Sequence, residues 1–356
     1  MRILPLLLIL SLLCSCGGVQ PSVDTEPAGA DSVVRVAEPF GAIDSSLQES
    51  LRTIERMSGG RLGCAAIHLE SGWRTSYRGR ETFPMASVAK LPMAIEFLRQ
   101  VDSGAFHLDS LVHLTATDHR PGASVLYHRT RHAGGVASLH ALLEAMVAAS
   151  DNTASDVLLR LAGGAPRVDA LMTTLGLEGI DISHDEGELI LLWAGVDPGK
   201  DDSVWTRDRF YGKIAEAGDT AWNAAAARLA DDPADAAMPE EMATLLAKLH
   251  RGELLARPTT DTLLAIMHRT ATGRRRIPAL LPAGTPVAHK TGTISSTTND
   301  VGIIQLPDGR GHLAIALFIK DSHSGVRQRE HAIAAAAQLV VQHVMARENS
   351  IEVAGR

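Results

Sequence analysis

A serine and a lysine three residues apart form the first pattern in this chain that could do covalent chemistry. Ser87 and Lys90 lie in the stretch FPMASVAK (83–90), and we predict that a helix starts at Ser87. Residues three apart share one face of a helix, so the lysine amine can reach the serine hydroxyl. A serine hydroxyl needs a neighbouring base to become a nucleophile, and N–H groups at a helix start can stabilise an oxyanion. The pair indicates a covalent mechanism through Ser87.

Two further polar runs follow this pair along the chain. The run SDN occupies residues 150–152, and the run HKTGT occupies residues 289–293 at the end of a predicted strand. Taken singly, each has an ordinary structural interpretation, as a helix cap or as a strand end. All three patterns together, in this order, favour a catalytic interpretation.

This trio of motifs resembles that of the class A serine β-lactamases and the penicillin-binding proteins. Three longer stretches extend the resemblance to class A enzymes: PEEMATLLAKLHRGELL (239–255), LPAGTPVAHKTGT (281–293) and TNDVGIIQLPDG (298–309). The last two are similar to the PER-type, extended-spectrum branch. The resemblance covers essentially everything from Ala42 to Met345.

The resemblance implies a role for each residue of the motifs. Ser87 would attack the lactam carbonyl, and its proton would pass to Lys90 or to a water bound by a glutamate. Ser150 would relay a proton to the departing lactam nitrogen, and the backbone N–H groups of Ser87 and Thr293 would form the oxyanion hole. Asn152 would hold the side-chain amide of the substrate. The remaining substrate-binding residues would be Lys290, Thr291, Gly292, Thr293 and Arg276, with Lys290, Thr291 and Arg276 holding the substrate carboxylate.

Hydrolysis of the acyl-enzyme needs a further residue, a base that activates water. In class A enzymes this is a glutamate in a Glu-x-x-Leu-Asn setting, and the matching stretch here is SHDEGELI (183–190). Glu186 takes the position of the base. Ile190 replaces the asparagine that helps to hold the water, and His184 stands where an arginine commonly anchors the loop.

We therefore expect hydrolysis of β-lactam antibiotics through an acyl-enzyme on Ser87, with water activated by Glu186. Under a shifted alignment, Glu188 or Asp185 would be the base. A separate alternative is that Glu186 is only a solvated loop carboxylate. Two other functions stay open: a D-alanyl-D-alanine peptidase or related acyl-transferase with slow deacylation, and a lipid-anchored binding protein without catalysis. The expected partner is a small-molecule β-lactam, with no cofactor and no metal, and we expect a monomer.

The elements that must position these residues come from both ends of the chain. We predict a helix that ends at Gly59-Gly60, then a hairpin, then mainly helices from Ser87 to about Gly176, and a helix from Met238 to His250. The predicted strands are 63–69, 73–77, 286–290, 299–306 and 313–320, and the last helix runs from about Val326 to Met345. The fold class is thus α/β: an antiparallel sheet flanked by helices, plus an all-α lobe, with the site in the cleft between them.

The segment from Leu191 to Ala237 is longer than the family usually has. It contains three of the four tryptophans, Trp193, Trp205 and Trp222. It is either a helical elaboration packed on the all-α lobe or an aromatic rim beside the active site that alters substrate access. We favour packing, because aromatic residues at helical spacing usually serve it.

The N-terminus has the features of an export signal. Arg2 precedes the apolar run Ile3–Leu13, which is too short to span a bilayer as a helix, and LCSC (13–16) resembles the lipobox of bacterial lipoproteins. We predict a signal peptide at 1–15, lipidation of Cys16, a flexible tether at 16–40 and a catalytic domain at 41–356. The protein would be exported, either to the periplasm or as a membrane-anchored lipoprotein; simple cleavage without lipid is the alternative.

Charge and histidine content exclude two other classes of function. The net charge is −7, from 41 acidic and 34 basic residues without a long basic run, which argues against a nucleic-acid surface. His128 and His132 are four residues apart, but no third ligand follows at zinc spacing. We therefore expect neither nucleic-acid nor metal binding.

Overall fold

Nine strands and eleven helices make up the part of the chain that the computed structural model describes, which is residues 39–41, 43–131, 135–199 and 205–354. The strands are β1 (Arg61–His68), β2 (Arg74–Tyr77), β3 (Phe83–Pro84), β4 (Leu111–His113), β5 (Val136–Ser138), β6 (Ala236–Ala237), β7 (Val287–Ile294), β8 (Thr297–Gln305) and β9 (His312–Lys320). The helices are α1 (Ser45–Ser58), α2 (Lys90–Asp102), α3 (Val125–Thr130), α4 (Leu139–Ala148), α5 (Asn152–Ala162), α6 (Ala165–Thr174), α7 (Glu186–Trp193), α8 (Arg207–Leu229), α9 (Pro239–His250), α10 (Arg257–His268) and α11 (Val326–Ala354). None of these helices is long and apolar enough to cross a membrane.

Five of the strands form one sheet with the order β2-β1-β9-β8-β7. Every neighbouring pair is antiparallel. Because β1 pairs with β9, the two ends of the chain build the sheet jointly. The predicted fold class, an antiparallel sheet flanked by helices with a helical lobe, is confirmed.

The sheet is buried on both faces, and this explains the apolar runs of its strands. Successive side chains of a strand point to opposite faces. In β1, Leu62, Cys64 and Ala66 pack in the hydrophobic cluster that contains residues of α1 and α11, whereas Ala65 and Ile67 pack in the cluster of the helical lobe. Two separate cores therefore hold the sheet, one on each side.

Local signals set several element ends as predicted. Asp44 caps α1 by accepting hydrogen bonds from the N–H groups of Ser46 and Leu47, and α1 ends where Gly59 adopts φ +67°. Pro239 begins α9, where its missing N–H costs nothing because the first turn has no intrahelical partner for it.

Three boundaries differ from the prediction by more than two residues. Ser87 lies in a 3-10 helix, Ala86–Ala89, and α2 begins only at Lys90. β7 runs on to Ile294, because its second half pairs with the start of β8, and the last helix extends to Ala354. The short strands β3 to β6 were not predicted, since two or three residues are too few to show a periodicity.

The segment from Leu191 to Ala237 contains the end of α7 and all of α8. Helix α8 is broken at Gly218, which adopts φ +72°. The ring of Trp205 stacks on the ring of Phe210, with 5.0 Å between the ring centroids. Trp205, Phe210 and Trp193 are all buried. These three residues fit the packing interpretation, whereas Tyr211 is 46% exposed.

Candidate active site

Ser87, the predicted nucleophile, lies on a turn that a side chain of the sheet holds in place. Ala86, directly before Ser87, adopts φ +47°, a conformation that non-glycine residues rarely adopt. The buried side-chain amide of Asn299 in β8 donates to the carbonyl oxygens of Pro84 and Met85 at 2.8 and 2.9 Å. The turn is thus fixed to the sheet, which stabilises its strained backbone.

Lys90 connects the nucleophile to the rest of the site. Residues three apart eclipse each other on a 3-10 helix, and the Lys90 amine donates to Ser87 Oγ at 3.0 Å. It also donates to Asn152 Oδ1 at 2.6 Å, and its distance to Glu186 Oε1 is 3.2 Å. Lys90 is completely buried. The amine therefore touches both the hydroxyl of the predicted nucleophile and the Glu186 carboxylate.

The hydroxyl of Ser150 lies between two amines. The Lys290 amine donates to Ser150 Oγ at 3.0 Å, and the Lys90 amine donates to the same atom at 3.4 Å. Burial lowers the pKa of Lys290 well below its usual value, and the charge of Lys90 acts in the same direction. The three groups form a continuous hydrogen-bonded path along which a proton can move.

Glu186 faces the site and not the solvent. It is the first residue of α7, only 6% of its surface is exposed, and its contact with Lys90 holds it beside the nucleophile. Asp185 and Glu188 form a capping box at the start of α7, in which each side chain accepts from the backbone N–H of the other. The interpretation of Glu186 as a solvated loop carboxylate is therefore wrong.

A buried ion pair that the sequence did not reveal holds the backbone of Glu186. Asp156 in α5 accepts hydrogen bonds from the N–H groups of Glu186 and Gly187 at 2.8 and 3.1 Å. It also pairs with Arg120 Nε at 2.6 Å. Burial raises the pKa of Asp156, the charge of Asp185 acts in the same direction, and Arg120 opposes both. The signal was available: Asp156 lies four residues after Asn152, one helical turn further on.

His184 anchors the stretch before α7, at the position where the family commonly has an arginine. The distance from its Nδ1 to Asp235 Oδ2 is 2.6 Å, and Asp235 Oδ1 accepts from the backbone N–H groups of Ser183 and His184. The hydrogen bond to Asp235 raises the pKa of His184. The carbonyl of Asp235 in turn accepts from the N–H of Met85, so one residue connects this stretch to the nucleophile turn.

Strand β7 approaches the nucleophile at Gly292, where only a glycine fits. A Cβ atom at this position would lie 2.4 Å from the carbonyl oxygen of Met85 and 3.2 Å from the backbone nitrogen of Ser87. The absence of a side chain brings the strand backbone against the N–H group of Ser87. The predicted oxyanion hole needs such an approach, because its second N–H group, that of Thr293, belongs to the same strand.

Two more predicted substrate-binding residues, Thr291 and Thr293, lie along the same strand, and Arg276 contacts it from a neighbouring segment. Thr291 shares a hydrogen bond with Thr272 at 2.6 Å, and Thr293 is exposed. The guanidinium of Arg276 donates to Thr293 Oγ1 at 2.6 Å and to the carbonyl oxygen of Gly292 at 3.0 Å. The strand thus carries a buried cation and hydroxyl groups beside the nucleophile, an arrangement suited to an anionic group.

The predicted lipidation site, Cys16, lies outside the described residues, as does His132 of the histidine pair that was not expected to bind metal. Within the described ranges, no group of three His, Cys, Asp or Glu side chains could hold a metal ion.

The fold and the geometry together define a serine hydrolase in which a buried lysine and a buried glutamate flank the nucleophile. The model of the beta-lactamase enzyme family matches residues 46–344, and the chain belongs to this family, as a class A serine β-lactamase. It is 32% identical to the extended-spectrum β-lactamase PER-1 of Pseudomonas aeruginosa, over 74% of this chain and 75% of that protein.

Solved structures agree with this assignment. The crystal structure of a β-lactamase from Chitinophaga pinensis matches with a TM-score of 0.70 and 30% identity, covering 84% of this chain and 99% of the other. An ancestral class A β-lactamase matches with a TM-score of 0.69 and 30% identity, covering 83% and 99%. The predicted family, including its similarity to the PER branch, is confirmed.

Proposed function

We propose that the protein hydrolyses β-lactams through an acyl-enzyme on Ser87, which is cleaved by a water that Glu186 activates. The observation that carries this proposal is the position of the Lys90 amine, 3.0 Å from Ser87 Oγ and 3.2 Å from Glu186 Oε1. A buried carboxylate beside Ser87 can act as the base that hydrolysis of the acyl-enzyme needs.

Acylation would begin when Ser87 Oγ attacks the lactam carbonyl carbon and loses its proton to Lys90, or through water to Glu186. The C–N bond of the lactam then breaks, and the nitrogen takes a proton from Ser150 Oγ. The two amines that donate to Ser150, those of Lys90 and Lys290, can replace that proton. The backbone N–H groups of Ser87 and Thr293 would stabilise the oxyanion.

Deacylation would use the same carboxylate as a base. A water molecule loses a proton to Glu186 and attacks the ester carbonyl, the bond to Ser87 Oγ breaks, and the proton returns to that oxygen. One water is thereby added across the amide bond. The substrate carboxylate would be held by Lys290, Thr291 and Arg276, and the substrate amide by Asn152.

Mass spectrometry of the protein during reaction with benzylpenicillin tests both steps. The wild type should turn over without accumulating an adduct, Ser87→Ala should form none, and Glu186→Gln should accumulate a penicilloyl adduct on Ser87. Glu188→Gln is the matched control, because this carboxylate lies two residues away and serves the helix cap. Equal deacylation rates in Glu186→Gln and the wild type would remove Glu186 from the mechanism. A long-lived adduct in the wild type would indicate a penicillin-binding acyl-transferase.

We also propose that the protein is exported and carries a lipid on Cys16, and that it acts as a monomer. The lipobox-like run LCSC after an apolar segment supports export. Mass spectrometry of the mature N-terminus and light scattering of the purified protein test these points. An unmodified N-terminus at Gly17 would contradict lipidation.

A further inference from the structure

The start of helix α8 is fastened to the loop that precedes α3. The guanidinium of Arg207 donates to the carbonyl oxygens of Arg120 and Gly122. The hydroxyl of Tyr211, one turn further along α8, accepts hydrogen bonds from the backbone N–H of Gly122 and from Arg207, both at 3.1 Å. Two side chains of the long Leu191–Ala237 segment thus bind three backbone groups of the loop at 120–123.

Two aromatic rings fix the guanidinium in this position. Its central carbon lies 4.6 Å from the ring centroid of Tyr127 and 5.2 Å from that of Tyr211. A planar guanidinium gains from contact with aromatic faces while its edge donates hydrogen bonds. The faces of the Arg207 guanidinium therefore contact aromatic rings while its edge donates to the loop, so Arg207 is a rigid support for the loop.

The loop that these residues hold surrounds Asn152. The side-chain amide of Asn152 donates to the carbonyl oxygen of Pro121 at 2.9 Å. The backbone N–H of Asn152 donates to the carbonyl oxygen of Ala123 at 2.8 Å. A Cβ atom on Gly122 would lie 3.0 Å from Asn152 Nδ2. Lys90 binds the other end of the same amide. Among the described residues, the loop and Lys90 therefore provide the hydrogen bonds that orient the Asn152 side chain.

We propose that Arg207 and Tyr211 are positioning residues for substrate recognition by Asn152. This inference rests on the proposed function, in which Asn152 holds the substrate amide. One of the two amide protons of Asn152 is used by Pro121, which leaves the other for the carbonyl of the substrate's acylamino group. The long segment therefore contributes to the site through the 120–123 loop, in addition to packing on the lobe.

Comparing two substrates separates this role from a general loss of structure. Benzylpenicillin has an acylamino side chain, whereas 6-aminopenicillanic acid lacks the acyl group that Asn152 would bind. Arg207→Lys keeps the charge but cannot bridge two carbonyl groups in one plane. Because a hydrogen bond contributes about 1 kcal/mol, we expect kcat/KM for benzylpenicillin to fall roughly fivefold to tenfold, with a smaller loss for 6-aminopenicillanic acid. Tyr211→Phe should show the same preference with a smaller effect.

Two further arms make the test decisive. Lys213→Gln is the control on the same helix, because this residue pairs with Glu216 and should leave both substrates unaffected. In an Asn152→Ala background, Arg207→Lys should have almost no further effect on benzylpenicillin, since the two changes remove the same interaction. The proposal would be overturned if Arg207→Lys lowered kcat/KM equally for both substrates, in the wild type or in the Asn152→Ala background. It would also be overturned if Arg207→Lys and Tyr211→Phe left kcat/KM unchanged while keeping the wild-type melting temperature. If Ser87→Ala still hydrolysed penicillin, the proposed function would fail instead.

Discussion

Arg120 and Arg160 offer a direct comparison of a buried and an exposed ion pair near the same helix. Arg120 Nε lies 2.6 Å from Asp156 and Arg160 Nη2 lies 2.7 Å from Asp118, but the arginine side chains are 1% and 54% exposed. Breaking a buried pair by removing one partner leaves an uncompensated charge and costs about 3–5 kcal/mol. An exposed pair contributes about 0–1 kcal/mol. Arg120→Met should therefore destabilise the protein by several times as much as Arg160→Met.

The pH dependence of this loss follows from the aspartate that is left behind. Burial already raises the pKa of Asp156, and removal of Arg120 should raise it further. In the unfolded chain the pKa of Asp156 is about 3.9, and in the folded variant it is higher. Between these two pKa values the folded state binds more protons than the unfolded state. The free energy of unfolding falls as pH rises across this range, by up to about 1.4 kcal/mol per pH unit for one proton. Arg120→Met should thus lose more stability at neutral pH than in mild acid.

Urea unfolding of the wild type and of both variants measures these free energies, with deacylation of the penicilloyl-enzyme as a second readout. Deacylation should slow in Arg120→Met because Asp156 holds the backbone of Glu186. Arg120→Met combined with Asp156→Asn should recover part of the stability, since the stranded charge is gone and the amide oxygen can still accept. Equal destabilisation by Arg120→Met and Arg160→Met would refute the argument that burial gives this pair its importance.

Three further predictions concern the other titratable groups. The hydrogen bond to Asp235 raises the pKa of His184. The stability that this bond adds to the folded state is therefore fully present below about pH 6.5 and is lost as pH rises through the raised pKa. In urea unfolding, His184→Asn should cost about 1 kcal/mol near pH 6 and less near pH 9. A larger cost at the higher pH would contradict this sign. Burial raises the pKa of the Cys64 thiol to about 12, so iodoacetamide should label it only after unfolding; labelling of the native protein at the unfolded rate would be inconsistent with this. Penicillin binding to Ser87→Ala should take up protons at Lys290, measured by calorimetry in buffers of different ionisation enthalpy; equal heats in all buffers would exclude it.

The sequence could predict those features that depend on neighbouring residues. The end of α1 at Gly59 and the start of α9 at Pro239 follow from local backbone chemistry. The hairpin between β1 and β2 was indicated by Glu70-Ser71-Gly72, where Gly72 adopts φ +74°. Ser87 and Lys90 are three residues apart, so their contact could also be anticipated.

Contacts between distant parts of the chain could not be predicted in this way. His184 and Asp235 are 51 residues apart, and Arg207 lies 87 residues from Arg120. Periodicity reports which face of an element is apolar, but not which distant polar group will meet it. The supports of the site were therefore missed, although the motif residues themselves were found.

The charges buried around the nucleophile explain why the site should bind an anion. Glu186 lies beside Lys90, and Arg276 lies 3.3 Å from Glu330. Among the residues that the structure describes, Lys290 donates only to Ser150 Oγ and to its neighbour's carbonyl oxygen, and no carboxylate pairs with it. A buried amine without a counter-ion has a lowered pKa, as Lys290 does. A substrate carboxylate would supply the missing counter-charge and raise the pKa of Lys290 again, so the burial that disfavours the charged lysine in the free enzyme favours binding of an anion.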